Sequence, residues 1–224
     1  MIENGDLILN YLDRLGIEYV FGVPGGSIEP FYNALARSER NGGPKAILAR
    51  HEAGAAFMAD GYARATGKIG VCCATSGPGA TNLITGVANA YSDSISLLVI
   101  TAQPAIEKFG LGAFQEGSCT GINTMSMFES CTRYNTLVSH SAQLETKLLQ
   151  AISYTKSNRP GPAHLSIPLD IMRAKVEPRY GEQHLRAFRV SRITELVDGH
   201  YADGERSYLR LSPTLSRGVW FGWA

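Results

Sequence analysis

The sequence predicts an α/β fold: a parallel sheet of about six strands with helices on both faces. Three observations predict it. Short apolar runs alternate with longer segments of helical spacing through most of the chain. The runs are continuous rather than alternating, as in strands buried on both faces. Two of them feed glycine-rich turns, Val20-Phe21-Gly22-Val23-Pro24-Gly25-Gly26-Ser27 and Thr75-Ser76-Gly77-Pro78-Gly79-Ala80-Thr81-Asn82, and sheets of this kind bind ligands at the carboxyl ends of their strands.

The elements follow in order. Leu7, Ile8, Tyr11, Leu12 and Leu15 recur at helical spacing, and Gly16 is a stop signal. Tyr19-Val20-Phe21 reads as a short buried strand. Ser27 is placed to cap a helix reaching about Ser38. Asn41-Gly42-Gly43-Pro44 is a turn. A strand over 46–49 leads into an alanine-rich helix over 51–66. A strand over 69–75 is followed by a helix over 78–91, with Pro78 suited to its first position. A strand over 95–101 precedes a looser segment reaching about Ser130. The pattern closes with a strand over 134–138, a helix over 141–157 and a strand over 163–167. Residues 1–180 thus read as one domain. From about Gly181 the alternation stops, arginines are scattered, and Trp220 and Trp223 stand near the end. Residues 181–224 are expected to be an atypical, poorly ordered extension.

Bulk composition narrows the function. The 224 residues are 44% hydrophobic and 18% charged, as in soluble globular proteins. The net charge of +1 points neither to nucleic acid nor to an anionic membrane surface. The first residues carry no basic or apolar targeting core. The aliphatic run 95–100 is far short of the ~20 residues of a membrane helix. Cys72, Cys73, Cys119 and Cys131 contain no C-x-x-C pair, so free, mostly buried thiols in a reducing cytoplasm are expected. Histidines do not cluster at metal-ligand spacing, so no protein-built metal site is expected.

Glu52 stands out among ionisable residues because it falls between the two glycine-rich turns. Glycine lets backbone approach a ligand closely, and an acid between two such turns could polarise a heterocycle. The commoner role of an acid at this position is simply to face the positive end of a helix dipole, and His51 beside it suits packing or capping. Competing motifs are absent: the third glycine of a dinucleotide fingerprint is replaced by Asn82, and there is neither a P-loop nor a nucleophile elbow. On composition Arg159-Pro160-Gly161-Pro162 is a stiff loop, and Ala113-Phe114-Gln115-Glu116 an ordinary loop with a partly buried phenylalanine.

Taken together, these motifs carry a resemblance. Gly22-Val23-Pro24-Gly25-Gly26, Arg50-His51-Glu52, Ala59-Asp60-Gly61-Tyr62-Ala63-Arg64-Ala65-Thr66-Gly67, the Thr75-to-Asn82 turn, Ala113-Phe114-Gln115-Glu116 and Arg159-Pro160-Gly161-Pro162 occur in this order. Over residues 3–175 the chain resembles the N-terminal pyrimidine-binding domain of thiamine-diphosphate enzymes, most of all the acetolactate synthase (acetohydroxyacid synthase) large subunit. The resemblance implies that Glu52 is the cofactor-activating glutamate, working by positioned acid–base chemistry. It places Gln115, with Phe114 packed beside it, on the substrate side. Pro24, Gly25 and Gly26 would border the thiazolium, Thr75, Pro78 and Asn82 would lie near the pyrimidine, and Arg159 would touch FAD.

The implied cofactors are thiamine diphosphate with Mg²⁺, its metal site outside this chain, and FAD. The implied partners are a second copy of the chain, a diphosphate-binding domain and 2-oxoacids such as pyruvate, with no nucleic acid and no membrane. The implied setting is branched-chain amino acid biosynthesis in the cytoplasm. Alternatives are another thiamine-diphosphate decarboxylase or carboligase, or a non-catalytic remnant that only dimerises. Gly112 departs from the aspartate usual in the family, the segment 121–130 is longer than its counterpart, and no Gly-Asp-Gly occurs. A truncated gene or shifted reading frame at the start of a middle domain would give a tail such as 181–224.

Overall fold

The structure is a computed structural model that describes residues 1–118 and 121–179; the extension expected over 181–224 lies outside the described residues. In chain order the elements are β1 (Ile2–Glu3), α1 (Asn4–Arg14), β2 (Tyr19–Gly22), α2 (Glu29–Arg40), β3 (Lys45–Leu48), α3 (Glu52–Thr66), β4 (Gly70–Ala74), α4 (Pro78–Ser92), β5 (Leu97–Gln103), α5 (Thr124–Glu129), β6 (Tyr134–Leu137), α6 (Ser141–Thr155), β7 (Pro162–Pro168), α7 (Leu169–Arg173) and β8 (Lys175–Val176). Six strands form a parallel sheet in the order β3-β2-β4-β5-β7-β6. Every residue of β4, β5 and β7 is buried; the apolar runs of β4 and β5 mark two-sided burial, whereas β7 buries His164 and Ser166 in alternation with apolar residues.

Helices cover both faces. Ala55, Ala56 and Ala59 of α3 and Ala80, Leu83 and Val87 of α4 bury one face together with Cys72, Ala74, Leu97 and Val99. On the other, α1 and α2 pack together and bury Ile8, Tyr11, Leu12, Phe31 and Leu35. Adjacent strand residues point to opposite faces: Cys72 joins the α3–α4 core, whereas Cys73 Sγ lies 3.7 Å from the Tyr32 hydroxyl of α2. At the amino end of β4, α3 comes closer still. A Cβ on Gly70 would lie 2.1 Å from the carbonyl oxygen of Ala59, so only glycine lets helix backbone rest on the strand.

Three local expectations are corrected. Ser27 does not cap α2: residues Gly26–Ile28 form a 3-10 turn, the N-cap is Ile28, and the Ser27 hydroxyl lies 3.1 Å from that of Ser76. The stretch read as loose holds α5, capped by the Asn123 side chain, which accepts from Ser126 N. Beyond β7 the chain continues as α7 and β8, and β8 pairs antiparallel with β1.

A polar network inside the sheet has no sequence signal, because its members are far apart in the chain. His164 of β7 is fully buried and stacks on Phe128, with ring centroids 4.0 Å apart. Asn135 uses its amide hydrogens on Met125 O at 2.6 Å, so its Oδ1 accepts from His164 Nδ1 at 2.7 Å. His164 Nε2 then accepts from the Thr101 hydroxyl at 2.7 Å. Burial pushes the imidazole down to about 3. The folded protein therefore keeps this ring neutral, while the unfolded chain binds a proton below about 6.5. Stability is full above that value and falls as pH drops towards 3, by up to about 1.4 kcal/mol per pH unit. Urea midpoints at pH 7.5 and pH 5 are expected to show a stability loss that shrinks by about 2 kcal/mol in His164→Gln. An equal loss in both proteins would exclude the ring as its source.

Candidate functional site at the carboxyl edge of the sheet

All six strands of the main sheet run in one direction, so the segments following β2, β3, β4 and β5 gather at one edge. Glu52 opens α3 there, immediately after the β3 connection. His51 precedes it with extended backbone and caps the helix, Nδ1 accepting from Ala53 N at 3.2 Å. The Glu52 carboxylate is half-buried, and its Oε2 accepts from Asn82 Nδ2 of α4 at 3.0 Å. Its Oε1 faces Gly79: a Cβ there would lie 3.5 Å from that oxygen and 2.8 Å from Thr75 Cγ2.

Thr75 is the common wall of the two glycine-rich turns. A Cβ on Gly25, in the first turn, would meet Thr75 Cβ at 2.6 Å. Both turns therefore lie against one threonine with bare backbone. Thr75 Oγ1 is itself buried and has no hydrogen-bond partner among the described residues. Pro24, Gly26 and Pro78 are exposed at the rim.

Two residues given no role of their own in the sequence reading support this edge. Tyr32 reaches across from α2, and a Cβ on Gly22 would lie 2.6 Å from its hydroxyl. Burial first, then the neighbouring Cys73 thiol and the Glu52 carboxylate, raise the pKa of the phenol, so it stays protonated and neutral beside Glu52. Ser76 is buried and pairs with Ser27, linking the two turns. Neither had a sequence signal, since each depends on a partner brought by another strand.

The segment after β5 closes onto the second turn. Gln115 has a positive φ of 57°, as does Gly77, also φ 57°. A Cβ on Gly77 would lie 2.7 Å from the Gln115 carbonyl oxygen, so glycine is needed both for the conformation and for the contact. The Glu116 carboxylate accepts from Gly110 N at 2.9 and 3.1 Å and from the Ser118 hydroxyl. Phe114 is a correction: it is 85% exposed, not partly buried beside Gln115. It lies in the turn in which Glu116 N donates to Ala113 O at 3.2 Å.

The structure thus brings Glu52, Asn82, Thr75, Gly25, Gly79 and Gln115 to one edge. It does not bring Arg159 there. That side chain is exposed just before β7, at the amino ends of the strands, on the order of 15–20 Å away along the strand direction, and its Nε lies 3.4 Å from Ser94 Oγ. Among the described residues no three His, Cys, Asp or Glu side chains come together in a way that could hold a metal ion.

Comparison with known proteins bears on this arrangement. A family model described as thiamine pyrophosphate enzyme, N-terminal TPP binding domain, matches residues 2–127. The chain is 46% identical over 167 residues to acetolactate synthase isozyme 2 large subunit of Escherichia coli, covering 75% of this chain and 29% of that protein. It is 42% identical over 174 residues to the acetolactate synthase large subunit of Lactococcus lactis, covering 78% and 29%. It is 39% identical over 173 residues to the mitochondrial acetolactate synthase catalytic subunit of Saccharomyces cerevisiae, covering 77% and 24%. The chain spans less than a third of the length of these relatives.

Proposed function

Because the chain belongs to the thiamine pyrophosphate enzyme family through its N-terminal cofactor-binding domain, we propose that it is the cofactor-activating part of an acetolactate-synthase-like enzyme that joins 2-oxoacids. The observation that carries this reading is the Glu52 carboxylate, with one oxygen held by Asn82 and the other free beside bare glycine backbone.

The edge suits the pyrimidine half of thiamine diphosphate on grounds of its own chemistry. It offers a carboxylate, an orphaned buried hydroxyl on Thr75, and two glycines that leave space where side chains would intrude. When bound, the cofactor supplies the carbon nucleophile and electron sink that 2-oxoacid decarboxylation and transfer require. Glu52 is the group that holds and releases a proton at its free Oε1. Asn82 fixes which oxygen is free. Gly25, Gly79 and Thr75 shape the floor, and Pro24, Gly26 and Pro78 form its rim. Gln115 faces the 2-oxoacid side, with Phe114 standing out from it.

The diphosphate and its Mg²⁺ belong to a domain outside these residues, since a divalent cation needs several oxygen ligands. Arg159, an exposed fork of N–H donors, is the FAD contact and serves a second site at the opposite edge. A second copy of the chain completes the cofactor cleft. The enzyme works in the cytoplasm, and no described helix is long and apolar enough to cross a membrane.

Two measurements test the proposal. The chain alone is expected to bind thiamine diphosphate with Mg²⁺ only weakly by calorimetry and to leave pyruvate unconsumed. A chimaera joining residues 1–175 to the remaining part of the Escherichia coli relative is expected to turn pyruvate into acetolactate. A folded, cofactor-loaded chimaera with no turnover would overturn the reading, and micromolar binding with turnover by the chain alone would overturn the division of labour.

A further inference from the structure

We infer that Gln103 is a positioning residue: its buried side-chain amide sets the segment 113–117, and with it Gln115, against the Gly77 turn. This rests on the reading above that Gln115 faces the 2-oxoacid side.

Gln103 ends β5 and is 1% exposed. Its Oε1 accepts from Gly117 N at 3.1 Å, and its Nε2 donates to Gly117 O at 3.2 Å. One side-chain amide therefore satisfies both polar groups of a single backbone residue, as a neighbouring antiparallel strand would. The same Nε2 donates to Thr124 Oγ1 at 3.1 Å, and that hydroxyl donates to Gly117 O at 2.8 Å. Thr124 N reaches the same carbonyl at 3.2 Å. Gly117 is thus a junction where β5, the loop and the start of α5 meet.

The junction is tight. A Cβ on Gly117 would lie 2.8 Å from Thr124 Cγ2 and 3.2 Å from Gln103 Nε2. Two residues earlier, Gln115 holds its left-handed φ with its carbonyl against Gly77. The segment is therefore gripped at both ends: by Gln103 at Gly117, and by the glycine-rich turn at Gln115. Left-handed backbone at a glutamine is uphill, so it persists only while both grips hold. No other strand residue reaches Gly117 with both a donor and an acceptor among the described residues. Buried polar groups left without partners are costly, so release of Gln103 would free the loop rather than leave the peptide unpaired.

The test uses the full chain, without cofactor. In the wild-type protein the Gly117 amide is expected to exchange with deuterium as slowly as the amides of β5, not as fast as its neighbours Phe114 and Gln115. In Gln103→Met, which keeps length and removes both hydrogen-bonding groups, Gly117 exchange is expected to accelerate at least about tenfold. The Gln115 amide–Hα coupling is expected to leave its left-handed value, while the amides of β4 and β5 keep their protection. Thr124→Val keeps the Gln103–Gly117 pair and is expected to change Gly117 exchange by less than about threefold. Fast Gly117 exchange in the wild type overturns the inference, as does an effect of Thr124→Val equal to that of Gln103→Met, or a left-handed Gln115 in Gln103→Met. The wild-type measurement decides even if Gln103→Met does not fold. None of these readouts involves cofactor or substrate, so their failure removes the anchor alone, whereas failure of the chimaera assay removes the functional reading.

Discussion

Glu52→Gln is expected to slow proton exchange at C2 of bound thiamine diphosphate on the order of 10²–10⁴-fold in the chimaera described above. Glutamine has the shape of the acid and keeps an oxygen for Asn82, whose Nδ2 donates to Oε2 at 3.0 Å. What it loses is the ability to hold and release a proton at the other oxygen. The fold is expected to survive, because Glu52 is half-buried at a helix start and gives up only about 0.3–1 kcal/mol of interaction with the helix dipole. Following the C2 proton of bound cofactor by NMR after transfer to heavy water checks this. Unchanged exchange in the variant would remove Glu52 from the proposed mechanism, and unfolding of the variant would assign it a structural role instead.

The second large effect is on stability. Gly70→Ala is expected to destabilise the sheet domain by about 3 kcal/mol, at the upper end of ordinary overpacking. For a domain of this size that lowers Tm by about 6–12 °C. The reason is that the new methyl would lie 2.1 Å from the Ala59 carbonyl oxygen and 2.7 Å from its carbon. Both are backbone atoms, so no side chain can turn aside. The helix that must move is α3, and α3 starts with Glu52. A calorimetric melt and a urea titration read the stability. A loss below about 0.5 kcal/mol would mean that α3 has room to lift off β4, which the contact distance denies.

These two residues show what the sequence did and did not reveal. The sheet was legible because β4 and the first part of β5 are buried throughout and read as apolar runs; β7 is buried as well, although His164 and Ser166 alternate with its apolar residues. The helices α1, α3, α4 and α6 were legible from spacing and stop signals. What escaped was short or non-local. The six residues of α5 are too few to show a period. The pairing of β1 with β8 joins residues 2–3 to 175–176 and involves only two residues on each side. Ser27 has the chemistry of a cap, but the 3-10 turn gave its hydroxyl to Ser76 instead. Glu52 could be singled out because both glycine-rich turns flank it in the chain. Its partner Asn82 was placed near the pyrimidine only by resemblance, since the hydrogen bond spans thirty residues. His164 and Gln103 were invisible for the same reason: a buried polar side chain has meaning only through groups that other strands deliver. Phe114 was misjudged because hydrophobicity predicts burial on average, whereas this ring stands exposed on the loop.

The small β1–β8 pair has a topological consequence. Ile2 lies opposite Val176 and Glu3 opposite Lys175, while Asn4 N donates to Ala174 O at 3.0 Å and Asn4 Nδ2 to Ile171 O at 2.8 Å. The path of the polypeptide from residue 2 to residue 176 therefore closes on itself and forms, in space, a nearly closed ring. A closed ring has no privileged starting point. A short linker from residue 176 back to residue 2 could be balanced by a new opening at 41–43, the turn between α2 and β3, where Asn41 and Gly42 are exposed. Domains with adjacent ends tolerate such rearrangement. The new ends would fall at the amino edge of the sheet, away from the edge that gathers Glu52, Thr75 and Gln115. The unit could thus be permuted, or seated inside another protein as an inserted cassette, through one pair of neighbouring attachment points.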